Sequence, residues 1–325
     1  MTPREQFIKA LKREKIEGHV PTFELVFFLT MESIGRVHPL HRFYGQWNQM
    51  SRAEQKLQLK DMALAYIEIA EKYHHNAIFV HPNPGPDGEM PDNLDAAREI
   101  LETIRELSGD KYYLTIHGDV THPIPDGDHM VDFAAMMYEE PEILIEQTKR
   151  KMEQAVALCE EMNRHPGLLD GFTLCSDYCF NTNPFYSREM FAELVQPYLK
   201  EIISYYREKG YYTIKHTDGN VMPILDMIVD CKPDAVHSLD PQGGVDLAEV
   251  KKLYGDKVCL IGNVNCGKMQ TGTMEKLEED VRRSLRQGMP GYGYIFSTSN
   301  CAYTGLGLDR YERMNQIWWE EGVYK

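Results

Sequence analysis

The residues best suited to chemistry stand where short apolar runs give way to polar turns. His216 and Asp218 are the sharpest case. They follow Tyr211-Tyr212-Thr213-Ile214-Lys215, an aromatic and β-branched run that predicts a buried strand, and they precede Gly219-Asn220, which breaks it. At i and i+2 of an extended chain, the imidazole and the carboxylate project to the same side. Other apolar runs end in similar groups: His117 and Asp119, Asp177 and Tyr178, Asp240, Asn263, and Asn300 with Cys301. Glu24 differs, because it interrupts the apolar run over residues 20–28. A carboxylate there is costly unless it is paired, protonated or bound to a metal. Histidine and carboxylate together suit acid–base work. Ordinary ion pairs and strand-end hydrogen bonds draw on the same residue types.

Such residues need elements to hold them, and the hydrophobic pattern supplies about eight strand–helix units. Apolar runs predict strands at 20–28, 77–80, 112–116, 171–175, 211–215, 235–239, 258–263 and 293–297. Helical periodicity lies between them: 51–73, 94–108, 131–162 with a break near Pro141, 187–207 with a kink or restart at Pro197, 221–229, 247–253 and 274–286. A last helix carries Tyr311, Met314, Ile317 and Trp318, and Thr2-Pro3 starts an N-terminal helical extension. Residues 34–49 read as an irregular cover over one mouth of the fold, and His81-Pro82-Asn83-Pro84-Gly85 as a turn-rich loop. This alternation is the sequence form of an α/β fold, a (β/α)8 TIM barrel, here one domain over residues 1–325. Such barrels carry their active sites at the C-terminal ends of the strands, where the polar residues named above fall.

The formal net charge of −15 argues against a nucleic-acid partner, which would need a basic footprint. No apolar run is long enough to cross a bilayer, and Met1-Thr2-Pro3-Arg4-Glu5-Gln6 lacks the apolar core of a signal peptide, so a cytoplasmic protein is expected. Seven cysteines, an odd number, suggest reduced thiols rather than a disulfide framework. Trp318 and Trp319 near the C-terminus are read as an exposed aromatic contact for a homodimer.

Several segments resemble the uroporphyrinogen decarboxylase superfamily: His216-Thr217-Asp218-Gly219-Asn220, the stretch from Asp246 to Gly255, Gly262-Asn263-Val264, the stretch from Gly293 to Asn300, Glu139-Glu140-Pro141-Glu142 and Ser187-Arg188-Glu189-Met190-Phe191. That superfamily includes zinc-dependent methyltransferases that serve corrinoid proteins. Two departures separate this chain from the decarboxylase itself. The N-terminal region has only isolated Arg36 and Arg42 in place of paired arginines, and Cys301 stands where a histidine is expected after the last strand. The methyltransferase branch is closer. It implies a metal site of a histidine and a cysteine two apart after the fifth strand, plus a cysteine after the eighth. Here His216 and Cys301 match, and Asp218 replaces the first cysteine.

The resemblance therefore implies zinc held by His216, Asp218 and Cys301, a donor set of nitrogen, oxygen and thiolate that zinc accepts. Glu24 or Cys175 is open as a fourth ligand. The carboxylate makes the metal a harder Lewis acid, suited to an oxygen or nitrogen that bears the methyl group. The expected reaction moves a methyl group from a small methylated donor, such as a methyl ether, to cobalamin carried by a corrinoid protein. Asp177 and Tyr178 are the catalytic candidates, and Glu24, His117, Asn263 and Asn300 the candidate substrate contacts. The alternatives are a metal-independent, decarboxylase-like lyase with the carboxyls as general acid and base, and a non-catalytic partner of a corrinoid protein.

Overall fold

Seven of the eight predicted strands form and lie side by side. The structure, a computed structural model, describes residues 1–42, 44–81 and 94–324. Its strands, in chain order, are β1 (Gly18–His19), β2 (Ala77–Phe79), β3 (Tyr113–His117), β4 (Gly171–Cys175), β5 (Tyr212–Thr217), β6 (Ala235–Ser238), β7 (Cys259–Val264), β8 (Tyr294–Thr298) and β9 (Val323–Tyr324). β2 to β8 make one curled sheet in sequence order, and each neighbouring pair is parallel. β1 and β9 form a separate antiparallel ribbon. The alternation of helices with parallel strands makes this a TIM-like α/β fold with a seven-stranded sheet, rather than the regular eight-stranded barrel expected.

The missing strand is the run over residues 20–28. It touches the sheet through single parallel bridges, Thr22 to Phe296 and Phe27 to Ala302. Ladder positions there are taken by side chains. Thr22 N–H donates to Asn76 Oδ1 at 2.9 Å, and Thr298 N–H donates to Glu24 Oε1 at 3.3 Å. Pro21 has no N–H to offer. Thr22 still joins both flanks, because its carbonyl accepts from Asn76 N–H at 2.8 Å while Phe296 N–H donates to Pro21 O at 2.8 Å.

Helix Pro3–Leu11 begins in a capping box of Thr2 and Glu5. It lays Phe7 against Tyr113 and Phe23, with ring centroids 4.6 and 5.8 Å away, and so packs across the N-terminal ends of the strands. The C-terminal ends are left for the site. The prolines act as expected: Met130–Glu139 gives way to Pro141–Asn163, and Arg188–Leu194 to Gln196–Glu208, each proline standing in the first turn of the second helix. The turn predicted over residues 82–85 lies outside the described residues.

The C-terminal tryptophans part company. Trp318 is buried and donates from Nε1 to Val20 O at 2.9 Å. Only Trp319 is exposed, stacked on His19 and His74 at 4.1 and 4.6 Å. Adjacent helical positions lie about 100° apart, so one faces the core and the next does not. No helix among the described residues is long and apolar enough to cross a membrane.

Candidate active site

Register brings the site together. Across the parallel ladder, Cys175 pairs with His216 and His216 with His237, so three strands present these side chains at one level. The two imidazoles meet, Nδ1 to Nδ1, at 2.8 Å. His237 Nε2 lies 3.3 Å from Thr298 O. A carbonyl can only accept, so His237 carries its proton on Nε2 and its Nδ1 must accept from His216 Nδ1–H. Burial, reinforced by the neighbouring His216, holds the His237 pKa well below the ordinary imidazole value, so the ring is neutral. In neutral His216 this fixed tautomer leaves a lone pair on Nε2.

That lone pair faces two carboxylates. His216 Nε2 is 3.7 Å from Asp177 Oδ1 and 3.9 Å from Asp218 Oδ1. These are longer than hydrogen bonds. They approach the edge of a tetrahedron with metal–ligand distances near 2.1 Å, which is about 3.4 Å. Ligand atoms of Asp177, His216 and Asp218 all lie within 4.8 Å of one another. Both carboxylates are held. Asp218 N–H donates to Asp177 Oδ1 at 2.9 Å, Ser238 Oγ–H donates to Asp218 Oδ1 at 2.6 Å, and Asn300 Nδ2 donates to Asp218 Oδ2. Burial pushes the Asp218 carboxyl up to about 6, with His216 opposing the rise and Asp177 adding to it. The residues therefore fit a divalent metal: one imidazole lone pair and two oriented carboxylates converge, and a cation between them would relieve their repulsion.

Cys301 stands outside that group, yet its thiol feels Asp218 and Glu24. Burial first, then those two carboxylates, pushes it up to about 12. Glu24 is buried and protonated up to about 7, chiefly through desolvation; it accepts from Thr298 Oγ1 at 2.6 Å and from Tyr311 Oη at 3.3 Å. His117 and Asp177 line a cavity of about 400 Å³ that His216 also lines. The structure does not bring Tyr178 or Asn263 to that cavity. The Tyr178 hydroxyl bonds Thr121 Oγ1 at 2.6 Å, and its ring lies 4.2 Å beneath Lys215 Nζ. Asn263 donates to Leu239 O at 2.7 Å and accepts from Arg283 at 3.0 Å. Of the strand-end acids, Asp119 is taken by the fully buried Lys215, at 2.7 Å.

Reasoning from sequence missed His237 and Ser238. A signal was present: β5 and β6 each place a histidine shortly before a strand-end aspartate, His216 two residues before Asp218 and His237 three before Asp240. Their pairing depended on the register between strands.

Fold and site together define a TIM-like α/β protein with a histidine–carboxylate centre at the C-terminal ends of its strands. Residues 128–317, more than half of the chain, match the uroporphyrinogen decarboxylase (URO-D) family, and the chain belongs to that family. Among solved structures it is similar to a methyltransferase from Methanosarcina mazei, at 16% identity and a TM-score of 0.72 over 98% of this chain and 99% of that one. An L-ribulose 3-epimerase matches at 13% identity and a TM-score of 0.42, over 81% of this chain and 82% of that one. No curated protein matches the sequence.

Proposed function

We propose that the chain is a methyltransferase that takes a methyl group from a small methylated compound, such as a methyl ether, and delivers it to a corrinoid protein. The observation that carries this reading is the convergence of His216 Nε2 with the Asp177 and Asp218 carboxylates. The Methanosarcina methyltransferase fold and the family membership support it. His216, Asp218 and Asp177 would hold zinc, with Cys301 as a further ligand reached by movement of its loop. Zinc there supplies Lewis acidity to the heteroatom that loses the methyl group. The partner's cobalt supplies the nucleophile, so the chain needs none.

The chain's own residues do the rest. His237 holds His216 in the ligating tautomer, and Ser238 and Asn300 aim Asp218. The cavity seats the donor beside this centre, with Leu25, Val26 and Phe79 excluding water from its body. Asp177, half exposed at the cavity wall, leaves that side of the centre open to water, which returns the proton to the departing heteroatom. The decarboxylase-like reading finds less support. Arg36 is engaged by Asp61 and Glu68, and Arg42 by Asp61, so neither is poised for a polycarboxylate.

The test is turnover of cob(I)alamin. Purified protein with zinc and a panel of methyl ethers and methylamines should convert it to methylcob(III)alamin, read by its absorbance, and His216→Ala should not. Carbon dioxide release without methyl transfer would establish the lyase instead.

A further inference from the structure

One cation in the cavity has nothing to do in the chemistry above. Lys151 stands on helix Pro141–Asn163 and lines the same cavity as His216 and Asp177. Among the described residues its ammonium has neither a hydrogen bond nor an ion pair. The other lysine nearby, Lys215, is fully committed to Asp119 and to the carbonyls of Leu174 and Ser176.

The groups next to Lys151 are just as unsatisfied. Its charge reaches His117, and His117 in turn reaches His81; both rings line the cavity. Burial is the main cause that lowers both pKa values, with His81 near 3, so both rings are neutral. His81 Nδ1 is buried without a partner. An unpaired buried polar atom is costly, and a ligand that pairs it removes the cost. Gln154, one helical turn beyond Lys151, adds an amide to the wall. The cavity is therefore bipolar. Asp177 and His216, from the ends of the neighbouring strands β4 and β5, supply one part of its lining; Lys151, with the neutral His117 and His81 from the ends of β3 and β2, supplies another, and Leu25, Val26 and Phe79 add its apolar part.

We propose that this cavity binds a monocarboxylate, with the carboxylate received by Lys151 and the neutral groups beside it, and the methylated heteroatom directed to the His216–Asp177–Asp218 wall. The substrate class is then a methylated carboxylic acid with a short apolar body. This deepens the methyltransferase reading and rests on it for the identity of the reacting end. The Lys151 end is testable without any metal.

Full-length protein stripped of metal with a chelator is titrated with 4-methoxybenzoate and with methoxyacetate, each against its own primary amide, by ligand-observed NMR. Removing the metal matters, because a carboxylate could otherwise bind zinc directly. At least one acid should bind about tenfold more tightly than its amide, the size expected for a hydrogen bond to a charged group. Lys151→Met should bring the ratio to about one, Lys151→Arg should keep it, and Lys149→Met, at an exposed position of the same helix, should keep it too, with circular dichroism confirming that each variant is folded. If no acid outbinds its amide, or if the preference survives Lys151→Met, the proposal fails. A protein that shows the Lys151-dependent preference yet takes up no zinc would leave this assignment standing while removing the metal-assisted chemistry.

Discussion

His237→Phe isolates the tautomer argument. The phenyl ring fills a similar volume in a site that is fully buried, but it offers no acceptor to His216 Nδ1 and no donor to Thr298 O. His216 is then free to move its proton to Nε2, the nitrogen that faces Asp177 and Asp218. Losing an outer partner of a metal-bound histidine costs ~10–100-fold in metal affinity. That corresponds to ~1.4–2.7 kcal/mol of binding free energy. The orphaned Thr298 carbonyl adds ~1–3 kcal/mol of lost stability. The assay is competitive zinc titration against a chromophoric chelator, with urea unfolding of the metal-free protein run in parallel. His237→Asn is the informative companion, because its amide oxygen can stand near the Nδ1 position and accept again. The Phe variant should lose affinity by the stated factor and the Asn variant should recover most of it. A Phe variant within twofold of wild type would refute the relay. Equal losses in both variants would show that His237 matters for packing alone.

Three further outcomes are expected. Lys215→Met leaves Asp119, held near a pKa of 2 mainly against its own burial by the lysine, as an unpaired buried carboxylate, so urea unfolding should show a loss of ~3–5 kcal/mol. Glu24 keeps its proton to about 7 when folded, against an ordinary value of 4.5; between those pH values the folded chain binds more protons than the unfolded one, so stability falls as pH rises through this window and then levels, by ~3 kcal/mol relative to Glu24→Gln. Trp318→Ala should destabilise by ~3–5 kcal/mol in thermal or urea unfolding, and Trp319→Ala by far less, because only the first is buried.

What could be read from the sequence was what depends on neighbours along the chain. The aromatic and β-branched run before His216 and the Gly219 break set β5 to within two residues, and i, i+2 parity brought His216 and Asp218 to one side. The proline-initiated helices were legible for the same local reason. What was hidden depends on neighbours across the fold. Residues 20–28 look like a strand, but Asn76 and Glu24, one of them distant in the chain, take over ladder hydrogen bonds. Tyr178 and Asn263 stand at strand ends, as the site residues do, yet they turn toward Thr121 and Leu239 instead of the cavity. His237 is unremarkable in a list of apolar strand residues; only the register of β5 with β6 makes it the partner of His216. Lys151 lies mid-helix, and nothing in its periodicity says which cavity it lines. The short helix Cys266–Thr271, capped by Asn265, also escaped, since six residues give too few turns for a period.

The central claim is that one imidazole and its carboxylates hold a divalent ion, and metal content tests it most directly. Untagged protein, purified without chelator, equilibrated with zinc and desalted, is analysed by inductively coupled plasma mass spectrometry. Wild type should retain about one zinc per chain, as a single site of this donor type would. His216→Ala and Asp218→Ala should retain little. Wild-type protein that emerges free of zinc, or a His216→Ala variant that holds as much as wild type, would contradict the account.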